Sequence, residues 1–293
     1  KMELLFEKNI KIKRRLAMTA TERVYRGDQN DINSMDDPRV YGPLIHTLSF
    51  AKAVAKGIIS DYQILTITIT NGEIRSLISS NKVLTDGEFE TDAQSLSAAI
   101  ALRRAFKKYK TRHAVSFHQS IARSKNFCDL HNSLNKIKGI NPKTENFQIS
   151  SKDSAGSRQR LLKDFETEKR AIISNARCLT EGVDVPAIDC VLFADPKQSV
   201  IDIVQAAGRA MRPYPGKSSG YIIIPIIVPD KTELEDFAKT TEFKQVTRVV
   251  AALSTQDERI AEEFRDIHSS KKKKRLEIVG DIPETFDIDP AEF

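Results

Sequence analysis

The chain has 293 residues of ordinary globular composition, 40% hydrophobic and 29% charged with no tryptophan, which is enough for one large core or two smaller ones. No window approaches the roughly 18 uncharged apolar residues of a membrane-crossing helix, and the opening KMELLFEKNIKIKRR lacks the apolar core and cleavage site of a signal peptide. The net charge of +6, from 46 bases and 40 acids, matters less than its distribution.

Cys128, Cys178 and Cys190 are odd in number and lack CxxC spacing. They fit small buried residues of a reducing compartment better than a disulfide framework or a metal site, so no metal ligand is assigned and a cytoplasmic setting is expected. Lys1 stands where an initiator methionine would, so the chain is expected to be a piece of something longer.

In chain order, residues 1–60 do not read as a complete domain. Lys13 to Arg23 is a short apolar run ending in Thr19-Ala20-Thr21. A segment rich in Asp, Asn, Gly and Pro follows, and reads as loop. Leu44 to Ile59 has room for one short helix. Residues 61–230 differ. Ile64–Thr70 is an alternating β-branched strand, and a polar segment to about Thr91 reads as loop. A helix is expected over Ala93–Tyr109, a strand over His113–Phe117, a helix over Ser120–Leu134 and a strand over Phe147–Ser150. Next come a helix over Ser157–Glu166, strands Ala171–Asn175 and Cys190–Asp195, a helix over Val200–Met211 and strand Tyr221–Val228. Apolar strands alternating with helices predict an α/β fold, a parallel sheet covered on both faces, whose functional groups gather at the carboxyl ends of the strands. Residues 231–293 form a third segment. It is helical in pattern to about residue 268, then carries the basic run KKKKR at 271–275 and an acidic tail expected to be poorly ordered.

The helix at Val200–Met211 carries the most informative pattern. Val200, Ile203, Val204, Ala207 and Met211 form an apolar stripe, and Gln205, Arg209 and Arg212 share the opposite face. Ser199 is a good N-cap. A solvated basic face is the plainer reading of two arginines in a row. Arginine's planar fork also suits the oxygens of a phosphoryl group in transfer. Upstream, the loop Leu179–Pro186 contains Gly182, where backbone can approach a phosphate or sugar closely. Thr180 there could contact a nucleic-acid phosphate and Asp184 a ribose hydroxyl, while an ordinary turn explains the same residues.

Together these pieces resemble superfamily-two helicases and translocases, specifically their second, RecA-like domain. Thr180–Pro186 resembles motif V, Gln205–Arg212 (QAAGRAMR) the QxxGRxxR box of motif VI, His113–His118 motif IV, and Thr19-Ala20-Thr21 motif III, all in family order over roughly residues 13–230. The pattern is nearer to restriction-enzyme motor subunits and repair-type DNA helicases than to the DEAD-box group, because Gln205-Ala206 stands where the DEAD-box proteins have His-Arg. The resemblance implies that Arg209 and Arg212 are arginine fingers toward the γ-phosphate of ATP and that Gln205 couples that nucleotide to the nucleic acid. It further implies that Gly182 and Asp184 approach the nucleotide, that Thr180 with Ser116, Phe117 and His118 holds the tracking strand, and that Thr19 and Thr21 couple hydrolysis to movement.

Other parts of such a motor are not found in this sequence. The lone GKS, Gly216-Lys217-Ser218, has Met211 where a phosphate loop needs its first glycine, and no strand ends in a DExx box. The fragment alone is therefore expected to be inactive, with ATP and Mg²⁺ bound mainly by the first RecA-like domain of the same protein. Between Asp92 and Asp129 there are eight bases and no acid, so Arg103, Arg104, Lys107 and Lys108 are expected to attract nucleic-acid phosphate. The expected function is the carboxyl-side motor domain of an ATP-dependent DNA helicase or translocase, with RNA as the other nucleic acid and no membrane partner. A helicase-fold adaptor without ATPase activity is the alternative.

Overall fold

The computed structural model describes residues 11, 13–19, 21, 22, 24, 34–80, 92–176, 179, 185–196, 199–228, 241–265 and 275–279. Two compact units are present, Lys1–Leu48 and Ser49–Phe293. In the first unit the short helix α1 (Pro38–Tyr41) is capped by Asp37, whose carboxylate accepts the Arg39 backbone N–H.

The second unit runs α2 (Phe50–Ala55), β1 (Tyr62–Thr70), α3 (Asn71–Ser80), α4 (Ala93–Tyr109), β2 (His113–Phe117), α5 (Ile121–Leu134), β3 (Glu145–Ile149) and α6 (Ala155–Thr167). It continues through β4 (Ala171–Asn175), β5 (Cys190–Phe193), α7 (Val200–Ala210), β6 (Gly220–Val228), α8 (Thr241–Ser254), α9 (Glu258–Arg265) and β7 (Leu276–Val279). The seven strands form one sheet in the order β3-β4-β2-β5-β6-β1-β7, with every paired neighbour parallel.

The sheet is buried on both faces, which is why its strands are continuously apolar. In β1, Ile64, Leu65, Ile67 and Ile69 are all fully buried, each stabilising the fold by about 1.5–3 kcal/mol. Their alternation sends Ile64 to one core and Leu65, Ile67 and Ile69 to the other. On one face α6, α7, α8 and α9 pack through Phe165, Ile203, Val204, Val249, Leu253 and Ile260. On the other α3, α4 and α5 pack through Ile74, Leu96, Leu102, Phe106, Phe127 and Leu130.

Helix α1 lies within a segment read as loop, and two elements of the second unit also depart from expectation. The segment after β1, expected to be loop, begins as helix α3. Glu73 N–H donates to Thr70 Oγ1 at 3.1 Å while Glu73 Oε2 accepts from Thr70 N–H at 2.9 Å, a reciprocal capping box. The second is β7, four residues beyond the basic run that pair with Ile64–Ile67 of β1. Helices α8 and α9 belong to the sheet's own unit, because Val246, Val249, Val250, Leu253 and Ile260 join its core.

Candidate functional site

The neighbouring strands β2 and β5 send the chain in opposite directions across the sheet, β2 on to β3 and β5 on to β6. Strand β2 is followed by α5 on one face, whereas its neighbour β5 is followed by α7 on the other. Such a switch point opens a crevice at the carboxyl ends of the strands, and polar groups line it. His118, just beyond β2, places Nδ1 3.8 Å from Asp195 Oδ2, just beyond β5. His118 Nε2 lies 2.9 Å from Ser116 Oγ. Asn175, ending β4, donates to Ser116 O at 2.9 Å and accepts the Leu179 N–H at 3.3 Å, while its carbonyl accepts the His118 N–H at 2.9 Å. The order serine, histidine, aspartate is reminiscent of a hydrolytic triad. Ser116 is, however, fully buried and shares its hydroxyl with Ser174 at 3.2 Å. No substrate reaches it, and the network fixes the strand ends.

Ser116, Phe117 and His118 are all buried. Their side chains do not face solvent. Thr180, Gly182 and Asp184 lie outside the described residues. In the first unit, Thr19 Oγ1 donates to Thr21 O at 2.7 Å and accepts the Thr21 N–H at 3.2 Å, closing a hydroxyl turn.

Helix α7 starts at Ser199, whose hydroxyl accepts the Asp202 N–H at 3.3 Å. Ala206, Ala207 and Ala210 are fully buried, and their small side chains let the helix lie close on the sheet. Gln205 is half-buried and Arg212 likewise. Arg209 departs from the expected solvent-facing row, since it is only 6% exposed; the helix turns it from the outer face by sitting deep in the domain. The helix also runs antiparallel to the strands. Its last turn lies at their amino ends, where Met211 O accepts the Ser60 N–H at 2.7 Å. Arg209 and Arg212, in and just after that last turn, thus stand apart from the carboxyl-end cluster.

The expected basic patch on α4 is corrected by the structure. The helix lies on the opposite face of the sheet from α7. Arg103 is only 3% exposed. Its guanidinium donates to His131 Nδ1 at 3.3 Å, His131 O at 3.1 Å, Asn135 Oδ1 at 3.0 Å and the Pro142 carbonyl. Burial pulls the Arg103 pKa down to about 10 and drives that of His131 well below its usual value, so the imidazole is a neutral acceptor. Arg104 pairs with Glu73 at 2.5 Å and donates to Thr68 O at 3.1 Å, and Lys108 pairs with Glu277 at 2.7 Å. Lys107 is exposed. Arg104, Lys107 and Glu73 line a cleft of about 660 Å³ between α3, α4 and the loop after α5. Arg103 is therefore a buried structural residue, while Arg104 and Lys108 are engaged in partly exposed ion pairs. A helical wheel could have placed Arg103 beside buried Ala99 and Phe106, but its partners come from a segment thirty residues away.

Among the described residues no helix is long and apolar enough to cross a membrane, and no three His, Cys, Asp or Glu side chains are grouped to hold a metal ion. Cys128 and Cys190 are buried free thiols, and burial pushes the Cys128 pKa up to about 12.

The parallel α/β sheet with its arginine-bearing helix is similar to the C-terminal domains of helicases. Residues 97–214 match the helicase conserved C-terminal domain, and the chain carries that domain. The fold is shared with an ATP-dependent Type ISP restriction-modification enzyme, LlaBIII, solved bound to DNA. The likeness has a TM-score of 0.73 and 25% identity over 92% of this chain and 19% of that one. A Schizosaccharomyces pombe protein whose name is that of a mitochondrial ATP-dependent helicase, irc3, is 28% identical over 149 residues, half of this chain and 23% of its own. The ATP-dependent RNA helicase DDX51 of Danio rerio is 34% identical over 65 residues, 22% of this chain and 10% of its own. The chain thus spans a quarter or less of each of these relatives.

Proposed function

We propose that this chain is the carboxyl-side motor domain of an ATP-dependent DNA helicase or translocase, completing an ATPase site held jointly with a first RecA-like domain. In this reading Arg212 and Arg209 meet the γ-phosphate of ATP, and their charge counters the negative charge spread over the transferring phosphoryl oxygens. Gln205, one turn earlier on α7, couples the nucleotide to the nucleic acid. Gly182 and Asp184 approach the nucleotide, Asp184 at the ribose. Thr180 and the backbone at Ser116, Phe117 and His118 hold the tracking strand, and Thr19 and Thr21 couple hydrolysis to movement. In this reading ATP phosphates and Mg²⁺ are bound mainly by the first RecA-like domain of the same protein.

The observation that supports this reading most directly is QAAGRAMR, Gln205–Arg212, which forms the end of α7 and the two residues after it inside a matched helicase C-terminal domain. DNA is favoured over RNA because the likeness to the DNA-bound LlaBIII structure spans 92% of this chain, against 22% for the RNA helicase. The test is ATP turnover by the full-length protein with single-stranded DNA, duplex DNA and RNA. Turnover stimulated by DNA is expected, and Arg212→Ala should lower it by about a thousandfold while leaving DNA affinity nearly intact. Unchanged turnover in that variant would sink the finger assignment. No turnover under any condition would favour the adaptor reading.

A further inference from the structure

The Gly216-Lys217-Ser218 tripeptide, which cannot serve as a phosphate loop, has an occupation in the structure. The segment 213–216 is exposed, yet the Lys217 head turns inward. Its N–H donates to Tyr214 O at 3.0 Å, and Gly216 takes a φ of 77° to close that turn. The Lys217 Nζ then donates to two main-chain carbonyls, Ile188 O at 2.6 Å and Arg212 O at 2.7 Å. An ammonium has three donors, so it can bridge two carbonyls that could not bond each other.

One end of this bridge is anchored in the core. Ile188 is 1% exposed. The next residue, Asp189, donates its N–H to His113 O at 3.0 Å, and its carboxylate accepts the Arg112 and His113 N–H groups at 2.8 and 3.0 Å. The other end is the carbonyl of Arg212 itself, one residue after Met211, whose own carbonyl is held by Ser60. Two successive carbonyls at the end of α7 are therefore fixed to the body of the domain.

We infer that Lys217 is a positioning residue for Arg212: it fixes the backbone from which that side chain reaches across the composite site. The inference rests on the proposed role of Arg212. An arginine that acts only in the transition state must arrive within a fraction of an ångström, and a displacement of about 1 Å can cost on the order of a hundredfold in rate. The charged and titratable groups that act on the ammonium are Asp189, which favours its charge, and Arg212, which opposes it; Arg112, Tyr221 and Cys190 in turn interact electrostatically with Asp189. Burial, the largest influence, brings the Lys217 pKa down to about 8. The ammonium is thus mostly charged at neutral pH and loses its charge progressively as pH rises through about 8, where an exposed lysine would stay protonated to about 10.4.

The experiment compares kcat, KM for ATP and melting temperature across pH for the full-length protein and its Lys217→Met, Lys217→Arg and Arg212→Ala variants. Lys217→Met should lower kcat roughly ten- to a hundredfold with KM little changed; it also leaves two carbonyls without their donor and lowers the melting temperature modestly, so kcat is read at temperatures where every variant is fully folded. The wild-type kcat should decline as pH rises through about 8, Lys217→Met should lack that limb, and Lys217→Arg should restore most of kcat and move the limb upward. Wild-type kcat in Lys217→Met beside a disabled Arg212→Ala overturns the bridge and leaves the finger standing. Wild-type kcat in Arg212→Ala overturns the finger reading and the bridge with it. A melting temperature that falls in step with kcat, with the pH limb intact, assigns Lys217 a structural role only.

Discussion

Arg123 grips Asp195 with its Nε 2.9 Å from both carboxylate oxygens and its Nη2 2.7 Å from Oδ1. The same guanidinium reaches Asp92, the N-cap of α4, at 2.9 Å. Asp195, only 2% exposed, also accepts the Gln119 N–H at 2.8 Å. One arginine at the start of α5 therefore joins the end of β5, the turn after β2 and the cap of α4, at the point where the sheet switches direction.

Removing Arg123 leaves a buried carboxylate without its main counter-charge. Arg123→Ala should cost about 2–3 kcal/mol, less than a fully buried pair because the arginine is partly solvated. Urea denaturation of the domain measures it, and a loss below about 0.5 kcal/mol would show that the backbone N–H donors suffice.

Arg103 and Lys107 lie one turn apart and should behave oppositely. Arg103→Met removes the partner of two carbonyls, an amide oxygen and an imidazole nitrogen, and should cost about 2–4 kcal/mol. Lys107→Glu, at an exposed position, should stay within about 0.5 kcal/mol. Thermal melts of the two variants, with DNA affinity measured only on the folded one, separate fold stability from electrostatics.

Tyr62 Oη donates to Asp257 Oδ2 at 2.7 Å in the core, and Arg259 holds the same carboxylate at 2.6 Å. Tyr62→Phe should cost about 1–2 kcal/mol. Burial pushes the Asp257 pKa up, but the bonds from Arg259 and Tyr62 outweigh it and leave the value below that of an ordinary aspartate. A depressed folded pKa confers stability that is present above the unfolded value of about 3.9 and is lost as pH falls through the folded one. The urea midpoint of Asp257→Asn should therefore be lower at neutral pH and fall less steeply below about pH 4.

Gly220 opens β6 directly beneath the end of α7. A methyl group there would overlap the Ala210 carbonyl, which is backbone and cannot swing aside. Gly220→Ala should cost about 3 kcal/mol or more. Because any relief must shift the last turn of α7, it should also lower ATP turnover beyond what the lost stability explains. Turnover per folded molecule, taken at a temperature where the variant is fully folded, checks this.

Much of this molecule was legible before its structure. The ranges of α4, β2 and β4 match their expected bounds because continuous apolar runs and helical spacing are local signals, set by which faces each segment must bury. QAAGRAMR was equally visible, since four polar or small residues at fixed helical spacing need no tertiary information. The capping box Thr70–Glu73 was present in the letters too, and is the signal that identifies α3. What sequence could not supply was partnership. Arg103 and Arg104 read as a basic patch because a charge alone does not reveal whether Asn135, Pro142 or Glu73 will come to meet it. Strand β7 is four residues long and gains its meaning only from pairing with β1, more than two hundred positions earlier. The arginines of α7 were fixed as a helical face by spacing, but the depth of Arg209 and the bridge from Lys217 to the Arg212 carbonyl arise where the end of α7, the start of β5 and the start of β6 meet. Local periodicity fixes an element and its faces; burial and charge pairing depend on chain segments distant in sequence, and only folding brings them together.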